Sequence, residues 1–163
     1  MRAAMLEQAG QAWLLEGEPQ RASEADTAAL KLVSLGTADE AIIRIDRAAA
    51  LAEMSRYKEA IADLDLALKI QPNNSDALAF RAAAHRHLGE FDLAFADADH
   101  GVKSDAKNVT ALLERAFAYR AQNHLAEARR DFDQVSALAP DSDEAKTARE
   151  NIAQLDVKQD GTK

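Results

Sequence analysis

Ala60-Ile61-Ala62-Asp63-Leu64-Asp65-Leu66-Ala67, Ala94-Phe95-Ala96-Asp97-Ala98-Asp99-His100-Gly101 and Ala128-Arg129-Arg130-Asp131-Phe132-Asp133-Gln134-Val135 are one octet written three times, 34 residues apart. Working outward, Tyr57, Phe91 and Leu125 precede the octets at the same interval, and Ala48, Ala82 and Ala116 stand further upstream at it. A fixed period of this length marks stacked supersecondary units, each too small to bury its own apolar face. The units run 41–74, 75–108 and 109–142. Each carries two helical apolar patterns broken by a polar turn, at Ser55-Arg56, Gly89-Glu90 and Asn123-His124. Two units close on a proline before a polar pair, Pro72-Asn73-Asn74 and Pro140-Asp141-Ser142, whereas the middle unit has Ala106 at that place.

The rest of the composition agrees. Of 163 residues, 47% are hydrophobic but only 5% aromatic, and Gly and Pro are scarce, so the chain reads as one all-helical domain whose helices approach through alanine. A formal net charge of -8 with scattered basic residues argues against a nucleic-acid partner and against an anionic membrane surface. No apolar stretch approaches the roughly 18 residues of a membrane span, so no direct membrane insertion is expected. The start of the chain has no apolar run of signal-peptide length before Glu7. With no cysteine there is neither disulfide framework nor thiolate chemistry. The expected compartment is the cytoplasm, with a bacterial periplasm as the alternative if the chain is a fragment lacking an export signal.

Both ends depart from the period. A less regular copy is expected at 3–36, after which the register slips by four residues between Leu35 and Glu40, where Thr37-Ala38-Asp39-Glu40 reads as a capping box that starts the next helix early. Residues 143–155 place Ala148, Ile152 and Leu155 on one stripe and are expected to form a capping helix, followed by a disordered tail at 157–163.

These columns resemble the tetratricopeptide repeat family, whose pattern has a large residue at position 4, small residues at 8, 20 and 27, aromatics near 11, 17 and 24, and proline at 32. Counting from residue 41, position 20 is Ala60, Ala94 and Ala128, position 8 is Ala48, Ala82 and Ala116, and position 27 is Ala67, Gly101 and Val135. Arg44 at position 4, His85 at position 11 and Asn123 in place of the turn glycine depart from the pattern. The resemblance implies an all-α, right-handed α-α superhelix of helix-turn-helix repeats over 1–156. It also implies a protein-interaction module, adaptor or scaffold, rather than an enzyme. Chaperone-binding members clamp a terminal carboxylate with Lys, Asn and Arg at positions where this chain has Ile45, Ala49, Phe80, Thr110 and Glu114, so chaperone tails are not the expected ligand.

Arg47, Arg81 and Arg115 share position 7, and Asp63, Asp97 and Asp131 share position 23 of the partner helix. A residue present in every unit has a structural role, so each Arg is expected to pair with the Asp of its own unit or with a carboxylate of the neighbouring one. The further column Asp65, Asp99 and Asp133 reads as a solvated face. His85 and His87 point to different faces of one helix and lack a third ligand, so no metal is expected. No paired carboxylates across an apolar pocket, phosphate-cradling loop or nucleophile elbow occurs, and neither a catalytic residue nor a cofactor is assigned.

The first helix of each unit should line an inner curve, exposing positions 2, 5, 9, 12 and 13. These are Ile42, Ile45, Ala49, Ala52 and Glu53, then Asp76, Ala79, Ala83, Arg86 and His87, then Thr110, Leu113, Phe117, Arg120 and Ala121, with Gln11, Leu14 and Leu15 from the first copy. Apolar Ile45, Leu113 and Phe117 around an alanine floor, with Arg86 and Arg120 one repeat apart, would suit a peptide with apolar anchors and an acidic flank. The competing expectation is a homo-oligomeric scaffold whose repeats stack between copies.

Overall fold

In a computed structural model, which describes residues 2–160 with side chains through Asp156, nine α-helices follow one another and no strand occurs among the described residues. They are α1 (Arg2–Leu15), α2 (Pro19–Leu30), α3 (Ala38–Glu53), α4 (Tyr57–Ile70), α5 (Ser75–His87), α6 (Phe91–Ser104), α7 (Val109–Ala121), α8 (Leu125–Leu138) and α9 (Asp143–Asp160). α9 runs five residues past the expected end at 155, because no proline or glycine interrupts the chain before Gly161. Residues 157–160, expected to be disordered, therefore continue that helix, and 161–163 lie outside the described residues.

Local signals place the boundaries. Asn74 and Asn108 accept the N–H groups of Ala77 and Ala111 at 3.0 and 2.8 Å, and Ser142 accepts that of Ala145 at 3.1 Å, so α5, α7 and α9 are capped at one register. α3 starts early for the reason read from Thr37. The Thr37 hydroxyl accepts from Glu40 N–H, while the Glu40 carboxylate reaches back one residue further than a standard capping box, to Gly36 N–H. That bond, with the Arg44 guanidinium beside it, holds the Glu40 carboxyl below its usual range. The hairpin turns need a left-handed residue: Gly89 at φ 78° supplies it freely, and Ser55 at 59° and Asn123 at 63° adopt it at a cost of about 1–2 kcal/mol each.

Each odd-numbered helix packs on the next odd one, α1 on α3, α3 on α5, α5 on α7 and α7 on α9, whereas no two even-numbered helices touch among the described residues. The odd layer is therefore the shorter one, and the stack curves around it. Alanine makes this possible: Ala41, Ala48, Ala77, Ala82, Ala111 and Ala116 are all buried to within 1%. One core cluster gathers Ile45, Leu51, Leu64 and Leu68 under Leu78, and a second gathers Leu112, Val135 and Leu155 around Phe132.

Candidate functional site

The three arginines of position 7 form one ladder. Arg47 forks onto Asp63 (Nε–Oδ2 2.7 Å, Nη2–Oδ1 2.6 Å), Arg81 onto Asp97 (2.7 and 2.6 Å) and Arg115 onto Asp131 (2.7 and 3.0 Å). The remaining Nη1 of each reaches the preceding unit. Arg81 donates to Asp65 at 2.7 Å, Arg115 to Asp99 at 3.1 Å, and Arg47 to the Thr27 hydroxyl at 3.1 Å. Asp65 and Asp99, expected to be only solvated, are thus the second legs of a bridge between units. A planar guanidinium with five fixed donors can serve both carboxylates at once. These carboxylates raise the proton affinity of Arg47, Arg81 and Arg115 still further. Arg44 adds to the first rung, donating to Asp63 at 3.0 Å and to Glu40 at 2.8 Å.

On the inner face the structure separates the expected groove residues into buried and open ones. Ala79 is fully buried and Leu113 and Ile45 are 8% exposed, because α3, α5 and α7 approach closely through their alanines and close over these three. They form a floor. Ile42, Glu53 and His87 are exposed, and Ala49, Ala52, Ala83, Phe117 and Arg120 are half-buried. Arg86 is not available to an acidic ligand as expected, since its guanidinium forks onto the buried Glu114 (Nε–Oε2 2.6 Å, Nη2–Oε1 3.1 Å). Position 6 of the next repeat supplies that carboxylate.

Two hollows lie along this face. A shallow one of about 300 Å³ between α3 and α5 is lined by Glu53, Tyr57, Ala83 and His87, whose imidazole stacks on Tyr57 at 4.6 Å with the planes 4° apart. Burial and the neighbouring Arg86 push the His87 imidazole below its usual pKa. The larger cleft, about 550 Å³, opens where α5, α7 and α9 converge, between Arg86, Phe91, Phe117, Arg120, Ala121, Gln154 and Leu155. Arg86 and Arg120 lie over Phe117, 4.7 and 5.5 Å from its centroid, which attracts both cations to its face. Arg120 donates to the Asn151 side-chain oxygen and pairs with no carboxylate among the described residues. Phe91 is 43% exposed at the mouth.

Phe91, Gln154 and Leu155 were not among the expected site residues. Gln154 and Leu155 follow Arg120 and Ala121 by 34 residues, so extending the period into α9 would have found them. His85 is half-buried with Nδ1 2.6 Å from Glu90 and Nε2 3.8 Å from Asp97. No group of three or more His, Asp or Glu side chains among the described residues is arranged to hold a metal ion, and no described helix is long and apolar enough to cross a membrane.

Residues 41–74 match the tetratricopeptide repeat family, over the same bounds as the first regular unit. The chain is similar to the first tetratricopeptide domain of Spaghetti (RPAP3) bound to the HSP90 peptide SRMEEVD, with a TM-score of 0.68 and 23% identity over 76% of this chain and 95% of that one. It is similar to the Arabidopsis OM64 tetratricopeptide domain, with a TM-score of 0.65 and 26% identity over 72% and 97% of the two chains. It is also similar to MamA, with a TM-score of 0.70 and 19% identity over 90% and 81%. No curated protein sequence matches the chain. The 41–74 unit is a tetratricopeptide repeat, and the chain has the all-α solenoid fold of tetratricopeptide repeat proteins. No catalytic family is indicated.

Proposed function

We propose that the chain is a non-enzymatic interaction module that seats a segment of a partner polypeptide on its inner face, with the α5–α7–α9 cleft as the anchoring site. The observation that carries this reading is Arg120. The other inner and ladder arginines face carboxylates of their own chain, whereas Arg120 rests on Phe117 at an open cleft beside exposed Phe91 and, among the described residues, has only an amide for a hydrogen-bond partner. A carboxylate bracketed by apolar side chains is the complementary ligand. The peptide SRMEEVD on the Spaghetti domain is such a ligand in outline, acidic with apolar residues. Its mode of capture would differ here, because Ile45, Ala49, Phe80, Thr110 and Glu114 stand where the chaperone-binding pattern needs Lys, Asn and Arg.

Replacing Arg120 by Glu removes a charge-assisted anchor worth about 1.5–3 kcal/mol, so affinity for acidic, apolar-flanked peptides should fall roughly tenfold to a hundredfold. Fluorescence anisotropy against a panel of such peptides, with R120E beside Phe91→Asp and the unaltered chain, reads this directly. Equal binding by all three chains would reject the cleft as the anchor. A self-associating scaffold is the second reading, favoured by an apolar recess of about 600 Å³ between Met5, Leu6, Ala28 and Leu32 at the other end of the stack, with Met5 65% exposed. Sedimentation separates the two, since end-to-end assembly would grow with concentration and vanish on deleting residues 1–36.

A further inference from the structure

Asp26, on α2, is 1% exposed, and neither of its carboxylate oxygens has a hydrogen-bond partner among the described residues. It occupies the column that holds Leu64, Ala98 and Phe132 in the regular units, and the first copy accommodates it by placing Gly10 of α1 opposite. A Cβ at Gly10 would lie 2.3 Å from Asp26 Oδ1 and 3.0 Å from Cγ, so any other residue there would force the carboxyl group out of this position. The charged groups facing it are Glu7 from α1, Asp46 and Arg47 from α3, and Asp63 from α4. Arg47 is the one cation among them, and its donors are already engaged by Asp63 and Thr27. An ionised Asp26 would therefore be a buried charge among three further carboxylates, with only the already engaged Arg47 to offset it.

Position in the stack turns this into a device. Among the described residues α1 packs on α2 and α3 alone. The Gly10–Asp26 contact lies within the α1–α2 interface, and an exposed hydrogen bond, Gln11 to Asp46 at 2.9 Å, ties α1 to α3. We propose that Asp26 is a proton-operated latch: its neutral form lets α1 dock on α2, and its ionised form releases α1, shortening the inner face by one helix. The latch concerns α1 alone and stands whether or not the cleft at α9 binds peptide.

Burial first, then the Asp46 charge, pushes the Asp26 carboxyl up to about 7, against 3.8 for the free group. Burial also raises Asp46 and Glu7. The docked state therefore binds a proton that the undocked state has lost between these two pH values, so docking weakens as pH rises toward 7 and levels off above it.

The test is amide hydrogen exchange of the full chain at pH 5.5 and 8.5, corrected for intrinsic rates. For a carboxyl at about 7 when docked and 3.8 when free, protection across α1 should drop about thirtyfold over that interval while α5 to α8 hold theirs. Asp26→Asn should keep α1 protected at both pH values. Unchanged protection of α1 in the unaltered chain would overturn the latch, as would a D26N chain that keeps the full drop. Should D26N fail to fold, the Asp26 carboxyl carbon resonance of the unaltered chain decides: a midpoint near 7 supports the latch, and one below about 5 overturns it.

Discussion

Phe132→Ala should lower the unfolding free energy by roughly 3–5 kcal/mol, the range for truncating a buried aromatic ring. Phe132 is fully buried and is the largest side chain in the interior. Phe117 meets it edge-on at 5.6 Å with the planes 73° apart, and Leu112, Val135 and Leu155 complete its surroundings. What sets the cost is the company it keeps. Ala116, Ala128 and Ala148 also line this cluster, and alanine has no rotamer that could swing into a vacated space. The helices are already close together through those alanines, so the site cannot collapse and most of the cavity should persist. At about 2–4 °C per kcal/mol for a chain of this size, the melting midpoint should fall by roughly 6–20 °C. A second consequence separates this site from an ordinary core position. Phe117 also carries Arg86 and Arg120 over its ring, so peptide affinity at the cleft should weaken together with stability. Urea unfolding monitored by circular dichroism checks the first expectation; a loss below about 1 kcal/mol would mean that the cluster repacks after all.

The same closeness explains why the architecture was legible in the sequence and much of the surface was not. Ala48, Ala82 and Ala116 recur because every unit needs a small residue at one crossing, so a one-dimensional period reports a three-dimensional constraint. Arg81 and Asp97 were readable as a pair for the same reason. The bond from Arg81 to Asp65 was not, because it depends on how far one unit is rotated against the next, and spacing along the chain carries no such angle. Ile45, Ala79 and Leu113 have the register of open groove residues, yet the inner helices shut over them. Helical periodicity shows which way a side chain points but not how near the facing helix comes. Arg86 illustrates this limit at one residue. Its position is that of a ligand contact, and a buried glutamate on the next inner helix claims it. Asp26 is a third case: the period sets it in the column of Leu64, Ala98 and Phe132, but its burial against Gly10 depends on how closely α1 approaches α2.

Arg115→Ala should cost about 3 kcal/mol, the low end of the range for removing one partner of a buried ion pair. The low end applies because the Arg115 side chain keeps 17% of its surface in solvent, whereas Asp131 keeps 3%. Most of the loss is the orphaned Asp131 carboxylate, held where water cannot replace the two donors it loses. An exposed pair makes the contrast: Arg56 and Glu59 are bonded at 2.6 Å but are 43% and 58% exposed, and Arg56→Ala should leave stability nearly unchanged because solvent screens the pair. If the orphan dominates, the double replacement Arg115→Met with Asp131→Leu should recover most of what the single loses, as buried pairs exchanged for apolar side chains of similar size commonly do. Arg115 also holds Asp99 of the preceding unit, however, and no apolar substitute restores that leg. The double variant should therefore regain stability while its third and second units move against each other more freely, with α5–α7 amides exchanging faster than in the unaltered chain. A double-mutant cycle on Arg115 and Asp131 gives the coupling energy, and hydrogen exchange reads the hinge. Coupling near zero would mean that solvent already screens the pair. Strong coupling with unaltered exchange in α5 and α7 would leave Arg115 as a brace within its own unit, and the spacing between units would then rest on the alanine contacts alone.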